Sequence, residues 1–194
     1  MANVKNGALQ SAIDNAAVGE NVVLTEDIVL TSRVSVSNVV TIDLNGYTIT
    51  GNIDDGYGAI YVGTKGILTI KDSSLGKTGC VINALGNAIG TYGIINISGG
   101  TFIGNYALYN FYYNDSIYGT SVIYDGAFKA ADGTSPAVAN CGDLTVNGGT
   151  IELLDTTNVL NVTGGTVKSL SVGVADYSPE RQSTSISGGN IVDL

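Results

Sequence analysis

Apolar and polar residues alternate in short bursts along most of the chain. Leu144-Thr-Val146, Leu160-Asn-Val162 and Ile95-Asn-Ile97 each place two apolar side chains on one face of an extended strand. Every burst runs into a glycine pair: Ile97-Ser-Gly-Gly-Thr-Phe102, Val146-Asn-Gly-Gly-Thr-Ile151, Val162-Thr-Gly-Gly-Thr-Val167 and Ile186-Ser-Gly-Gly-Asn-Ile191. Looser copies occupy Leu44 to Ile49 and Tyr124 to Phe128, and Ile67 to Lys71 matches the strand that precedes the motif. Neighbouring copies lie between 16 and 27 residues apart, an irregular period that predicts a solenoid with loops of variable length. The glycines supply a turn, and a second short strand begins after them. A hairpin meander would need two strands of comparable length around each turn. One-way turns with recurring equivalent positions predict parallel stacking instead.

One segment has helical spacing. Leu9, Ala12, Ile13, Ala16 and Ala17 share a face of a helix over residues 8–17, and Gly19 is placed to stop it. Strands are expected from Asn21 onward. The organisation predicted is one domain, with a capping helix in residues 1–20 and a β solenoid in 21–194. The helix would cover the first coil and protect an open sheet edge.

The stretch from Leu9 to Gly51 resembles the opening of the pectin-lyase-like right-handed parallel β-helix superfamily. There a capping helix, a G-x-x-V-x-L first strand (Gly19 to Leu24) and an L-x-G-x-x-I coil (Leu44 to Ile49) follow one another. The later Gly-Gly-Thr copies are similar to the coils of repetitive bacterial and phage surface β-helices. The resemblance implies an all-β fold, a single-stranded right-handed parallel β-helix of seven or eight coils with a short N-terminal capping helix. It implies no chemistry, because members of this superfamily include lyases, glycosidases, adhesins and viral spikes.

Charge narrows the partners. Eight Lys and Arg stand against 17 Asp and Glu, a formal net charge of −9, and the bases are scattered singly. No basic stripe is present to neutralise phosphates, so neither nucleic acid nor an anionic membrane surface is an expected partner. Residues 78–114 carry no charge, but Gly, Asn, Ser and Thr interrupt them before a run of about 18 apolar residues builds up, so no membrane insertion is expected. The opening MANVKNGALQ lacks the apolar core of a secretory signal, and no signal peptide is read in this chain.

Candidate chemistry is sparse. Cys80 and Cys141 read as buried free thiols, without metal-ligand spacing. Superfamily members that cleave polygalacturonans use a calcium-binding aspartate cluster with an Arg or Lys base, or several aspartates assisted by His. This chain has no His, and its adjacent acids are Glu26-Asp27 and Asp54-Asp55, with Arg33 and Arg181 as the only arginines. Asp54-Asp55 reads as a solvated turn, with a weak Ca²⁺ site as its functional alternative. Glycoside hydrolysis needs two carboxyls about 5 to 9.5 Å apart, which adjacent residues only sometimes provide. No catalytic residue, metal or cofactor is therefore expected. The acceptor patterns at Asn96, Asn114 and Asn161 are read as by-products of coil chemistry.

The aromatic residues gather. Tyr106, Tyr109, Phe111, Tyr112, Tyr113 and Tyr118 fall close together. In one continuous strand Tyr109, Phe111 and Tyr113 would share a face opposite Tyr106, Leu108 and Tyr112. Two readings stand side by side: an aromatic stack filling a wide coil, or an exposed platform for a glycan or another subunit.

The function expected is that of a non-enzymatic structural and binding protein on a surface: a phage virion component such as a head fibre, capsid decoration or tail appendage, with glycan or host-surface binding and a virion or extracellular location. The alternatives are a fragment of a bacterial adhesin, and a polysaccharide lyase or glycoside hydrolase. The last repeat, Ile186 to Leu194, has no covering element after it, which predicts a homo-oligomer, with a trimer favoured, or end-on docking to another virion or surface protein.

Overall fold

The computed structural model describes residues 2–4, 7–173 and 179–193. Among these residues it is all-β apart from one short α-helix and one 3-10 turn, and the described strands form a single 20-stranded sheet with a separate two-stranded hairpin. Every pairing within the large sheet is parallel, as the one-way turns predicted. The sheet curls because the chain visits three ladders in turn, and successive coils add one strand to each.

The alternation seen in the sequence is what closes the interior. Three inward columns run in register from coil to coil. The first is Val22, Ile42, Ile70, Ile97, Ile123, Val146, Val162 and Ile186. The second is Ile28, Ile49, Val81, Phe102, Phe128, Ile151, Val167 and Ile191. The third is Val34, Ile60, Ile89, Leu108, Val138, Leu154 and Leu170. Away from the last coil nearly all of these side chains are fully buried. At the middle of the second column Phe102 and Phe128 stack with ring centroids 5.1 Å apart.

One inward position of the third ladder, apolar at Val36 and Val62, turns polar in the middle coils. Thr91, Asn110, Asn140 and Thr156 occupy it on successive coils, all buried. Asn110 Nδ2 donates to Asn140 Oδ1 (2.7 Å), and Asn140 Nδ2 donates to Thr156 Oγ1 (2.9 Å) and to the Val159 carbonyl (2.9 Å). The stacked amides thus pair along the axis, which offsets part of the cost of burying them, while Asn110 Oδ1 is buried without a partner.

The glycine pairs have two separate causes. The second glycine is left-handed, with φ of 79° at Gly149, 78° at Gly165 and 79° at Gly189. At the first, a Cβ would strike the preceding coil: 2.1 Å from the Tyr124 carbonyl oxygen at Gly148 and 2.2 Å from that of Asn147 at Gly164. The copy at Gly99-Gly100 differs, because there the bend lies inside a continuous strand, Ile94–Gly104, as a pair of register shifts.

The helix spans Leu9–Asn15, shorter than residues 8–17, and buries Leu9 and Ile13. A strand, Ala2–Val4, precedes it and pairs with Glu20–Leu24, an element that the reading of residues 1–20 as a helical cap did not contain. Its three residues are too few for a periodic signal. At the other end Ser183–Ile186 pairs with Val159–Val162, and among the described residues no strand pairs with its other edge. Ile186 accordingly remains 46% exposed although it continues an inward column. Leu194 lies outside the described residues. Among these, no helix is long and apolar enough to cross a membrane.

Candidate binding surface

The third ladder also has an outward column: Ser35, Tyr61, Gly90, Tyr109 and Ala139 on successive coils. The small residue between the two tyrosines decides what covers this face. A Cβ on Gly90 would lie 2.0 Å from the Tyr57 carbonyl oxygen and 2.6 Å from the Phe111 ring, so the bare backbone there is the seat of that ring. Phe111, only 9% exposed, is surrounded by Tyr109 (4.3 Å between centroids), Tyr92 (4.9 Å, stacked) and Tyr57 (5.9 Å, edge-on). Tyr106 extends the tract beyond Tyr109 and Tyr61 beyond Tyr57, each pair 5.1 Å apart. Edge-on and offset contacts of this kind are the favoured aromatic geometries.

At the far end of the tract the Arg33 guanidinium lies 4.9 Å from the Tyr57 ring centroid and 5.1 Å from that of Tyr61. Asp55 holds it there with a 2.6 Å ion pair. Burial pushes the phenols of Tyr61 and Tyr92 above their ordinary value, and the neighbouring Tyr57 adds to this. They are therefore neutral hydroxyls, able both to donate and to accept. The result is an apolar ring surface, edged with hydroxyls, on a rigid sheet.

The structure divides the six aromatic residues singled out in the sequence. Tyr106, Tyr109 and Phe111 belong to the tract. The strand ends at Asn110, and Tyr112–Asn114 with Ile117–Tyr118 form an antiparallel hairpin that leaves the coil after Phe111 and returns at Gly119. Tyr113 on that hairpin is 70% exposed, Tyr112 donates its hydroxyl to Asp115 (2.9 Å), and Tyr118 lies under the Arg181 guanidinium (3.9 Å). The facial grouping expected for one continuous strand is thus corrected: Tyr106 joins Tyr109 and Phe111, and Tyr113 leaves them. None of the six fills a wide coil, because the bore there is occupied by Leu108 and by the Phe102–Phe128 stack.

Tyr57, Tyr61, Tyr92 and Arg33 were missed because they are dispersed in sequence. Aligning coils by the third ladder instead of the glycine motif would have set Tyr61 in the column of Tyr109.

Between the hairpin and the sheet lies a cleft of about 220 Å³, lined by Thr64, Tyr92, Gly93, Ile94, Thr120 and hairpin residues 115–118. Arg181, in the turn Pro179–Arg181, pairs with Asp143 (2.6 Å) while covering Tyr118, and so ties the hairpin to the coils.

The acids are occupied differently. Asp54 is exposed, whereas both oxygens of Asp55 are engaged, Oδ1 by the Tyr57 and Gly58 N–H groups and Oδ2 by Arg33. Asp27 accepts from the Thr48 N–H (2.8 Å). Among the described residues no group of three or more His, Cys, Asp or Glu side chains is placed to hold a metal ion. Cys80 and Cys141 are free, but half-buried where full burial was expected, and burial pushes the Cys80 thiol up. For Cys80 the reason is its place on an outward strand position, in register with Thr48 and Thr101. Comparison of the sequence with protein-family models, with curated proteins and with solved structures finds no match.

Proposed function

We propose that the chain is a right-handed parallel β-helix of the pectin-lyase-like kind, serving as a non-enzymatic structural and binding component on a surface, such as a virion carries as a head fibre, capsid decoration or tail appendage. Three parallel ladders visited in rotation support the fold. The observation that carries the binding role is the outward aromatic tract from Arg33 through Tyr57, Tyr61, Tyr92 and Phe111 to Tyr109 and Tyr106. Apolar ring faces with polar edges suit the alternating C–H and hydroxyl surfaces of a glycan. The engagement of both Asp55 oxygens by protein donors speaks for a structural acid at the one acidic pair in this region.

The test is binding of the full chain to immobilised neutral and acidic bacterial polysaccharides, with Tyr57→Ala and Tyr61→Ala as variants. Saturable binding that each variant weakens about tenfold supports the reading. Release of reducing ends or unsaturated uronides from any polysaccharide overturns it, as does the absence of binding. The assembly proposed with it is a homo-oligomer, a trimer in the favoured form, or end-on docking through the last coil around Ile186. Light scattering that gives a monodisperse monomer at micromolar concentration would reject the oligomer.

A further inference from the structure

The cleft beneath the 112–118 hairpin adjoins the aromatic tract through Tyr92 and is concave. We infer that it is a subsite for a single neutral pyranose ring, an inference that rests on the surface-binding reading and gives it a ligand class.

Size sets the first limit. About 220 Å³ is less than the roughly 300–1,000 Å³ of cavities that take drug-sized ligands, so the cleft accommodates one ring and not an oligosaccharide. Its walls set the second. Tyr92 and Tyr118 supply aromatic surface, and each is fixed from behind, Tyr92 by stacking on Phe111 and Tyr118 by the Arg181 guanidinium. Asp115 supplies a carboxylate anchored through Oδ1 by the Tyr112 hydroxyl (2.9 Å), whose remaining lone pairs can accept from a ligand hydroxyl, and Thr64, Ser116 and Thr120 supply hydroxyls that both donate and accept. Rigid apolar surface beside convergent hydroxyl partners is what a sugar ring requires, with C–H groups on one side and O–H groups around the rim.

Charge sets the third limit. Arg181, which lies over Tyr118 of the cleft wall, is paired with Asp143, while Asp115 and a net charge of −9 oppose an anionic sugar. The hairpin turn is shaped by the Asn114 side chain, which accepts from the Ser116 N–H (2.9 Å), and its base is closed by the Gly119 N–H to the Phe111 carbonyl (2.8 Å). The polar wall is therefore built before any ligand arrives, which lowers the ordering cost of binding.

The probes are methyl glycosides of glucose, galactose, mannose and N-acetylglucosamine, titrated into the full chain and followed by NMR. At least one should saturate at millimolar concentration. Asp115→Ala, an exposed position, should weaken it tenfold or more, and Thr64→Arg, which projects a long side chain into the cleft, should abolish it, with circular dichroism unchanged in both. The inference is overturned if no glycoside binds, or if binding survives both variants. Polysaccharide binding that depends on Tyr61, in a protein that binds no glycoside or binds one equally well in Thr64→Arg, would remove the cleft subsite and leave the wider surface reading standing. Loss of binding to both kinds of probe removes both.

Discussion

The side-chain amide of Gln10 pairs with the backbone of Ser35 as a neighbouring strand would. Gln10 Oε1 accepts from the Ser35 N–H (2.7 Å), and Gln10 Nε2 donates to the Ser35 carbonyl (2.9 Å). Val34–Val36 is the first strand of the third ladder, paired on one edge with Ile60–Val62, and its other edge would present unpaired groups. The Asn38 amide repeats the device in reverse, donating to the Ile13 carbonyl of the helix (2.7 Å). The helix thus protects the first coil by polar contact as well as by burying Leu9 and Ile13. Gln10→Ala should cost about 1–3 kcal/mol, the loss of two hydrogen bonds at a part-buried edge and of an exposed one from Nε2 to Asp14 Oδ1 (2.8 Å). Gln10→Glu should cost at least as much, because its carboxylate faces the Ser35 carbonyl without a donor. Urea midpoints of the two variants check this, and a Glu variant as stable as the parent would refute the strand-like pairing.

Gly90→Ala tests whether the aromatic tract is seated on the bare backbone at that position. The added Cβ meets both the Tyr57 carbonyl and the Phe111 ring at impossible distances, so the tract must lift. We expect a destabilisation of about 1–3 kcal/mol, typical of overpacking. The far-UV spectrum should be retained, and the near-UV and tyrosine fluorescence signals should change. The chain has 11 Tyr and no Trp, so those signals report largely on tyrosine environments. An unchanged near-UV spectrum would mean that Phe111 does not rest on Gly90.

The architecture was legible because each coil repeats a local rule: alternation that buries every second side chain, then a glycine pair whose second member must be left-handed. Val146, Val162 and Ile186 could be aligned by eye, and the structure stacks them in register. The candidate surface was legible only where sequence neighbours remain spatial neighbours. Tyr109 and Phe111 met that condition. Tyr61 and Tyr92 did not, since the contact of Tyr92 with Phe111 and that of Tyr61 with Tyr92 are created by stacking successive coils. The departure of Tyr112 and Tyr113 from the coil into a separate hairpin was not legible, because Tyr is a good strand former in either place, while the turn depends on an Asn114 side-chain contact that no periodicity reveals.

Asp72 should make stability depend on acid pH. The carboxylate is buried, which by itself raises its pKa, but N–H groups of Gly79 (2.6 Å), Ser74 (3.1 Å) and Gly46 (2.9 Å) donate to it and bring the pKa below the ordinary 3.8. A group whose folded pKa is depressed contributes stability that is fully present above its unfolded pKa and is lost as the pH falls through the folded value. Asp72→Asn must turn its NH₂ toward at least one of these donors, at a cost of about 1–3 kcal/mol near neutral pH. The gap in urea midpoint between the parent and Asp72→Asn should narrow as the pH drops below about 3.8. A gap independent of pH would show that the charge on Asp72 is not what the three donors hold.

Asp54 and Asp55, adjacent in sequence, should separate in function. Asp54 is exposed, and Asp54→Asn should leave stability and glycan binding unchanged. Asp55 shapes the loop through the Tyr57 and Gly58 N–H groups and fixes Arg33 against the Tyr57 and Tyr61 rings. Its ion pair with Arg33 is part-exposed, so the pair alone contributes no more than about 1 kcal/mol to stability. Its larger effect is positional: a guanidinium released from Asp55 no longer holds the two rings at one end of the tract. Asp55→Asn keeps an acceptor for the loop N–H groups but loses the charge that holds Arg33. It should therefore lower polysaccharide affinity several-fold with a shift in urea midpoint equivalent to about 1 kcal/mol or less. Arg33→Lys should behave similarly, because an ammonium lacks the planar face that lies against both rings. Binding untouched by Asp55→Asn and Arg33→Lys, in a protein whose binding is lost with Tyr61→Ala, would place the contact on the rings alone and remove Arg33 from the surface.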